Sequence, residues 1–136
     1  KDSADITNFP WANSVLGETP ETIEFKNIEE NTAIVIMNHS YVQDLKYLVK
    51  LTNFNTRYIG ILGSTKKRER LFNELLEFTP DISDTFFDNI YAPAGLHIGA
   101  KTPEEIAISI ISEILSIFRN KEPFSLRKLN GNIYSS

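Results

Sequence analysis

The sequence contains no cysteine, and this absence excludes two kinds of protein. Without a thiol the chain has neither a disulfide framework nor a thiolate metal site. Only two histidines are available as other zinc ligands, so we expect no metal site. Glycine and proline are scarce, at six residues each in 136, and the composition is that of an ordinary globular chain.

Long apolar runs and an excess of basic residues are also missing. No segment is apolar over enough residues to cross a bilayer. The net charge of −4 disfavours a general attraction to nucleic acid or to an anionic membrane. We therefore expect neither of these partners, and the lack of cysteine is compatible with a cytoplasmic protein.

Apolar runs alternate with segments of helical periodicity along the middle of the chain. The predicted order is strand, helix, strand, helix, strand, helix, at residues 32–37, 41–52, 57–62, 65–78, 89–92 and 103–119. This order predicts an α/β fold with a parallel sheet. Ligands of such folds bind beyond the carboxyl ends of the strands, where we expect His39, the 63–68 turn and the 93–100 loop to converge.

We divide the chain into three parts on this basis. Residues 1–31 form an N-terminal extension with a possible edge strand over 22–25, because apolar and polar residues alternate there. Residues 32–120 form the α/β domain, and residues 121–136 form a polar C-terminal tail.

The stretch 57–70 begins as a strand and ends as a helix. Gly60 and Gly63 interrupt its apolar run, so the backbone there can turn sharply or approach another group closely. The helix that follows starts with basic residues, Lys66, Lys67 and Arg68. Because the start of a helix is already positive, these cations predict a site for phosphate or another oxyanion, and the alternative is a solvated basic face.

The last predicted helix has both the strongest start and the most apolar surface in the sequence. Thr102, Pro103 and Glu105 combine an N-cap, a proline at N1 and a glutamate at N3. Apolar residues surround most of the helix, leaving a polar strip of Ser109, Ser112, Glu113 and Ser116. We therefore predict burial on more than one side, against the sheet and in a homodimer contact.

Three stretches together resemble one known family, the xanthine and CO dehydrogenase maturation factors (XdhC/CoxI). Residues 58–67, Tyr-Ile-Gly-Ile-Leu-Gly-Ser-x-x-Lys, look like one family signature, and residues 92–110 look like the other. Met37-Asn38-His39 followed by Asp44 resembles a third, in which Thr is usual at position 38. The sequence also departs from the family pattern at Ala94, where Ile or Val is usual, and at His97, where aspartate is common.

The resemblance implies a three-layer Rossmann-like domain that binds molybdenum cofactor (molybdopterin). Proteins of this family help to deliver the sulfurated cofactor to a xanthine dehydrogenase-type molybdoenzyme, and a cysteine desulfurase is a further expected partner. They are accessory proteins and not redox enzymes. A metal-ligand set and catalytic residues are not expected in this chain.

The resemblance and the turn chemistry together give the candidate cofactor-binding residues. We expect the phosphate near Gly63, Ser64, Lys67 and Arg68, and the planar pterin near other residues of the same edge: Asn38, His39, Gly60, Gly95, His97 and Gly99. His39 could bond the pterin or simply a neighbouring carbonyl. The 95–99 loop could approach the ligand or only form a tight turn before a capped helix.

Two other functions remain open from the sequence. The fold class alone would suit an NAD(P)-binding oxidoreductase, although no Gly-x-Gly-x-x-Gly occurs in the chain. The apolar last helix would suit a dimerisation module without a ligand of its own. Because the chain starts at Lys1 and resembles only the C-terminal part of the family, we also expect it to be a fragment of a longer protein.

Overall fold

The computed structural model describes residues 11–12, 14–26, 28 and 30–129. Strands and helices alternate as predicted, with bounds that agree within about two residues for the long helices. The elements are β1 (Ala33–Ile36), α1 (Tyr41–Leu51), β2 (Tyr58–Ile61), α2 (Thr65–Phe78), α3 (Asp84–Asp88), β3 (Ile90–Tyr91), α4 (Pro103–Phe118) and a 3₁₀ turn (Leu126–Lys128). The sequence of residues 79–88 predicts a loop with room for one helical turn, and α3 occupies the second half of that segment.

The strands form one parallel sheet in the order β1-β2-β3. Ile34 lies opposite Ile59, and Gly60 lies opposite Tyr91, so the central strand is β2. This confirms the predicted α/β class. Because all three strands run in one direction, the segments that follow them leave from the same edge of the sheet.

One face of the sheet is covered by α1 and α2, and the hydrophobic core lies here. Side chains from the strands and from both helices are almost fully buried in it: Ile36, Leu48, Leu51, Ile59, Ile61, Leu71 and Leu75. The apolar residues of α1 and α2 recur at helical spacing, which places them on the single face that contacts the sheet.

The opposite face is covered by α4, largely through polar contacts. Arg57 donates to the carbonyl of Ile117 at 2.7 Å and its guanidinium lies 5.0 Å from the ring centre of Phe118. Tyr58 donates to Glu113 at 2.7 Å. These contacts hold α4 against β2 and complete the third layer of the fold.

Within the described chain α4 is buried on one side only, and the predicted burial of a second side in a homodimer contact stays a prediction. Its fully buried residues are Ser109 and Ile110, whereas Ile108, Ile111 and Leu115 are 58%, 65% and 53% exposed. Ser109, which the sequence placed on a polar strip, faces the protein interior. The reason is geometric, since one sheet can cover only one side of a helix.

The predicted edge strand over 22–25 is also wrong, because no strand forms there. Phe25 instead packs edge-on against Phe54, with ring centres 5.8 Å apart, and Lys50 donates to the carbonyl of Ile23. The polar C-terminal tail contains one 3₁₀ turn among its described residues. A second turn, expected at Asn130-Gly131, lies outside the described residues. Among the residues that are described, no helix has the length and apolar character needed to span a membrane.

Candidate functional site at the carboxyl edge of the sheet

An open cleft of about 710 Å³ lies at the carboxyl end of β2. Leu62 and Gly63 line one side of it, the loop 93–101 forms much of its wall, and Ile106 and Ser109 contribute from α4. The structure thus brings together the Gly63 turn and the 93–100 loop, as the parallel sheet predicted.

The Gly63 turn leads directly into α2. Ser64 is the N-cap, and its hydroxyl accepts from the backbone N–H of Lys67 at 3.2 Å. Gly63 has φ of +139°, and a Cβ on it would lie 2.5 Å from Cδ of Lys67. The positive φ favours glycine here, and the Lys67 side chain occupies the space that a Cβ would need.

Lys67 forms an ion pair that the sequence did not predict. Its ammonium lies 2.6 Å from Oδ2 of Asp44, which is fully buried, and it also donates to the carbonyl of Leu62 at 2.8 Å. Oδ1 of Asp44 has no hydrogen-bond donor within the described part of the chain. The ammonium is therefore held between a carboxylate and a carbonyl oxygen, and an ammonium can donate up to three hydrogen bonds.

The other cations of the α2 start differ in their availability. Arg68 donates to the carbonyl of Ala92 at 3.2 Å, and Arg70 donates to Glu74 at 3.0 Å while lying 3.9 Å from the ring centre of Tyr41. Lys66 is exposed, and its side chain has no polar partner in the described ranges. Lys66 is therefore the cation of this turn that remains available to an anion.

Tyr41 links α1 to α2 through Glu74. Its hydroxyl donates to Oε1 of Glu74 at 2.9 Å. Partial burial of the phenol, and then the nearby Glu74 carboxylate, raise the pKa of Tyr41 to about 12. The phenol therefore stays protonated and acts as a donor at neutral pH.

The loop after β3 is tied to α4 through Glu113. Oε1 of Glu113 accepts from the backbone N–H of Gly95 at 2.8 Å and from the hydroxyl of Tyr58 at 2.7 Å. Burial of the Tyr58 ring and then the nearby Glu113 carboxylate raise the pKa of Tyr58 above its ordinary value. One carboxylate thereby fixes both the loop and the central strand against the helix.

The two glycines of this loop have different surroundings. Gly95 has φ of +113°, and a Cβ on it would lie 2.5 Å from Oγ of Ser109, so it permits close approach to α4. Gly99 has φ of +76°, and a Cβ there would meet no atom within 4 Å. Of the two, Gly99 presents bare backbone to the cleft, and exposed His97 lies beside it.

Of the predicted residues, four line the cleft: Gly63, Gly95, His97 and Gly99. Ser64, Lys67 and Arg68 belong to the adjoining start of α2, and Gly60, Asn38 and His39 do not line the cleft. Gly60 lies within the sheet, where its missing side chain makes room for the ring of Tyr58. Asn38 lines a separate depression of about 250 Å³ beside Phe25, and His39 is exposed after β1. His39 therefore does not line this cleft, which is formed by the segments after β2 and β3 and by α4.

Sequence reasoning missed the roles of Asp44 and Glu113. The sequence identifies Asp44 only as an acidic residue in the first turn of α1, where it favours the helix. It identifies Glu113 only as part of a polar strip on α4. Both positions were acidic residues within predicted helices, and nothing local indicated their distant partners. Across the residues that the structure describes, no group of three potential metal-ligating side chains lies together.

Comparison with known proteins decides the family. Residues 2–114 match the XdhC Rossmann domain. The chain belongs to the XdhC family. Its Rossmann domain is 35% identical over 109 residues to a probable xanthine dehydrogenase component of Bacillus subtilis (strain 168), a match covering 79% of this chain and 30% of that protein.

Two further matches agree with this assignment. The XdhC chain is 32% identical over 98 residues to an uncharacterized protein, YqeB, of Escherichia coli (strain K12), covering 72% of this chain and 17% of that protein. A crystal structure of a xanthine dehydrogenase from Bacillus halodurans superposes with a TM-score of 0.69 at 32% identity, over 88% of this chain and 33% of that one. The XdhC chain thus spans about a third or less of the relatives that it matches.

Proposed function

We propose that this chain is the cofactor-binding Rossmann domain of a maturation factor that holds molybdenum cofactor. In this proposal the whole protein delivers the sulfurated cofactor to a xanthine dehydrogenase-type molybdoenzyme. It acts as an accessory protein without redox chemistry of its own, in the cytoplasm and with a cysteine desulfurase as a further partner. Membership of the XdhC family and the names of its relatives support this assignment.

The single observation that carries the proposal is the position of the cleft beside the positive start of α2. Its volume of about 710 Å³ lies within the range of about 300–1,000 Å³ typical of small-molecule sites. The first turn of α2 holds no acidic residue, and Lys66 is exposed. An anion there would gain from the helix N–H groups, the macrodipole and the ammonium together.

The residues of the cleft suit a ligand with a flat apolar part and a phosphate. Leu62, Ile98 and Ile106 supply apolar surface, and Gly99 allows a ring to approach the backbone closely. Lys66, with the third N–H of Lys67, would hold the phosphate. The cofactor supplies the molybdenum, and these residues bind and orient it.

Binding of purified molybdenum cofactor tests the proposal. The chain would be equilibrated with the cofactor under argon, and the retained molybdenum would be quantified after ultrafiltration. We expect Lys66→Glu to weaken binding about tenfold or more, because a charge-assisted hydrogen bond contributes about 1.5–3 kcal/mol. Lys128→Glu is the matched control, since it reverses the same charge on the 3₁₀ turn and not at the start of α2.

The same assay with NADPH distinguishes the main alternative. Cofactor binding that is reduced by Lys66→Glu but not by Lys128→Glu would support the proposal. Saturable binding of NADPH without binding of molybdenum cofactor would overturn it in favour of a nucleotide-dependent function. Equal affinities of both variants for the cofactor would show that the α2 start is not the anion site.

A further inference from the structure

The side of α4 that faces away from the sheet is an apolar ridge. It consists of Ile108, Ile111 and Leu115, each more than half exposed. Their spacing of three and four residues places them on one side of the helix. Ser109, Ile110 and Glu113 lie on the opposite side, where Ser109 and Ile110 are buried, the carbonyl of Ser109 accepts from Leu96 and Glu113 accepts from Gly95.

This ridge contributes nothing to packing on the sheet. The helix is already held there by Glu113 and by the contacts of Arg57. Contiguous apolar side chains on an exposed helix face are typical of surfaces that bind another protein. The ridge is therefore a candidate contact surface.

The charges at the two ends of the ridge identify what can cover it. Glu104 stands in the first turn of α4 and Arg119 follows its last turn, and both are exposed. Neither side chain has a hydrogen bond or an ion pair within the described ranges. The ridge is thus negative at one end, apolar in the middle and positive at the other end.

Such a surface is complementary to itself when turned end for end. We propose that α4 pairs with α4 of a second copy of this chain in antiparallel orientation, with the two-fold axis close to Ile111. Ile108 then meets the partner's Leu115, and Glu104 comes near the partner's Arg119. A parallel pair would instead place like charges and like helix ends together.

Helix geometry agrees with this register. At about 1.5 Å per residue, Glu104 lies about 10.5 Å along the axis from Ile111, and Arg119 lies about 12 Å from it on the other side. The two distances differ by about 1.5 Å, the rise of one helical residue, and the long side chain of Arg119 can span this difference. Uncharged residues, Ala107 and Ser112, flank the ridge, so no buried charge opposes association.

The size of the ridge predicts a weak dimer. The 16 residues of α4 extend about 24 Å, and one pair of such helices buries less than the roughly 800 Å² per partner of a standard interface. We expect a dissociation constant on the order of 10 µM. This proposal does not depend on the identity of the cofactor.

Sedimentation velocity over a concentration series tests association of the full 136-residue chain. We expect a monomer–dimer equilibrium that Ile111→Gln weakens at least about tenfold, because an amide would be buried at the axis. Leu76→Gln is the matched control, since Leu76 is an exposed apolar residue on α2. The circular dichroism and melting temperature of both variants should stay close to those of the original chain, because both sites are exposed.

The absence of cysteine allows a direct test of orientation. In a chain without other thiols, Ile111→Cys should form a disulfide with its own copy on mild oxidation. Glu104→Cys alone should not, whereas an equal mixture of Glu104→Cys and Arg119→Cys should form the mixed dimer. Efficient self-crosslinking of Glu104→Cys would overturn the antiparallel arrangement. A monomer up to about 100 µM would overturn the dimer and assign the ridge to a different partner, such as a further segment of a longer chain.

Discussion

Helices α2 and α4 leave the same edge of the sheet and begin with the same type of cap, yet their first turns carry opposite charge. Ser64 and Thr102 each accept from a backbone N–H at 3.2 Å. The first turn of α2 contains Lys66 and no acidic residue, whereas that of α4 contains Glu104 and Glu105. Local electrostatics therefore favour the start of α4 and oppose that of α2.

The difference indicates how each helix start is stabilised. Thr102 and Glu105 form a complete capping box, so α4 is stabilised by residues within its own first turn. The start of α2 has its Ser64 cap but no acidic residue in its first turn, and an acidic residue of another helix, Asp44, pairs with its Lys67. A helix start stabilised from elsewhere can keep positive potential at its surface, and this is the property that an anion site requires.

Breaking the Asp44–Lys67 pair should cause the largest loss of stability at either helix start. Lys67→Met leaves the fully buried Asp44 carboxylate without its cation, and we expect a loss of about 3 kcal/mol in the free energy of unfolding. Urea denaturation measures this loss. The double variant Asp44→Leu/Lys67→Met should recover much of it, because no buried charge remains. If Lys67→Met unfolds at the original urea concentration, the pair does not stabilise the α2 start.

Removal of the Glu113 carboxylate should have the next largest effect. Glu113→Ala leaves the buried hydroxyl of Tyr58 and the N–H of Gly95 without their shared acceptor, and should cost about 2 kcal/mol. Glu113→Gln keeps an acceptor oxygen and should cost less. In a Tyr58→Phe background the cost of Glu113→Ala should shrink. Equal costs in both backgrounds would show that the Tyr58 contact contributes nothing.

Charge reversal at Lys66 should change stability in the opposite direction from ligand binding. Lys66→Glu places an acid in the first turn of α2 and should raise the free energy of unfolding by about 0.5 kcal/mol. The same change should weaken binding of the proposed cofactor. Thermal unfolding and the binding assay on one preparation test both signs, and a loss of stability would contradict the dipole argument.

Removing the Glu105 charge from the α4 capping box should change the stability least, and the change should depend on pH. Backbone N–H groups of Lys101 and then Thr102 lower the pKa of Glu105 below its ordinary 4.5. Because the folded pKa is the lower one, this stabilisation is complete above about pH 4.5 and is lost as the pH falls through the folded value. Glu105→Gln should flatten that acid limb of the stability curve. An unchanged limb would exclude Glu105 as its source.

Much of the candidate site was predictable because it depends on order along the chain. The Gly63 turn and the 93–100 loop both follow parallel strands, and so they had to meet at one edge. His39 also follows a parallel strand, yet it does not line the cleft. The order of strands within the sheet and the position of α4 decide which two segments enclose the cleft, and local sequence patterns do not specify either.

The amino-acid sequence by itself determined the strands, the helices, their caps and the family. Each depends on residues within a few positions of one another, as Thr102 and Glu105 illustrate. Only the tertiary structure decided that Lys67 pairs with Asp44, that Glu113 holds Gly95, and that the apolar ridge of α4 remains uncovered. Those outcomes depend on sheet order and helix packing, which bring together residues that are distant in sequence.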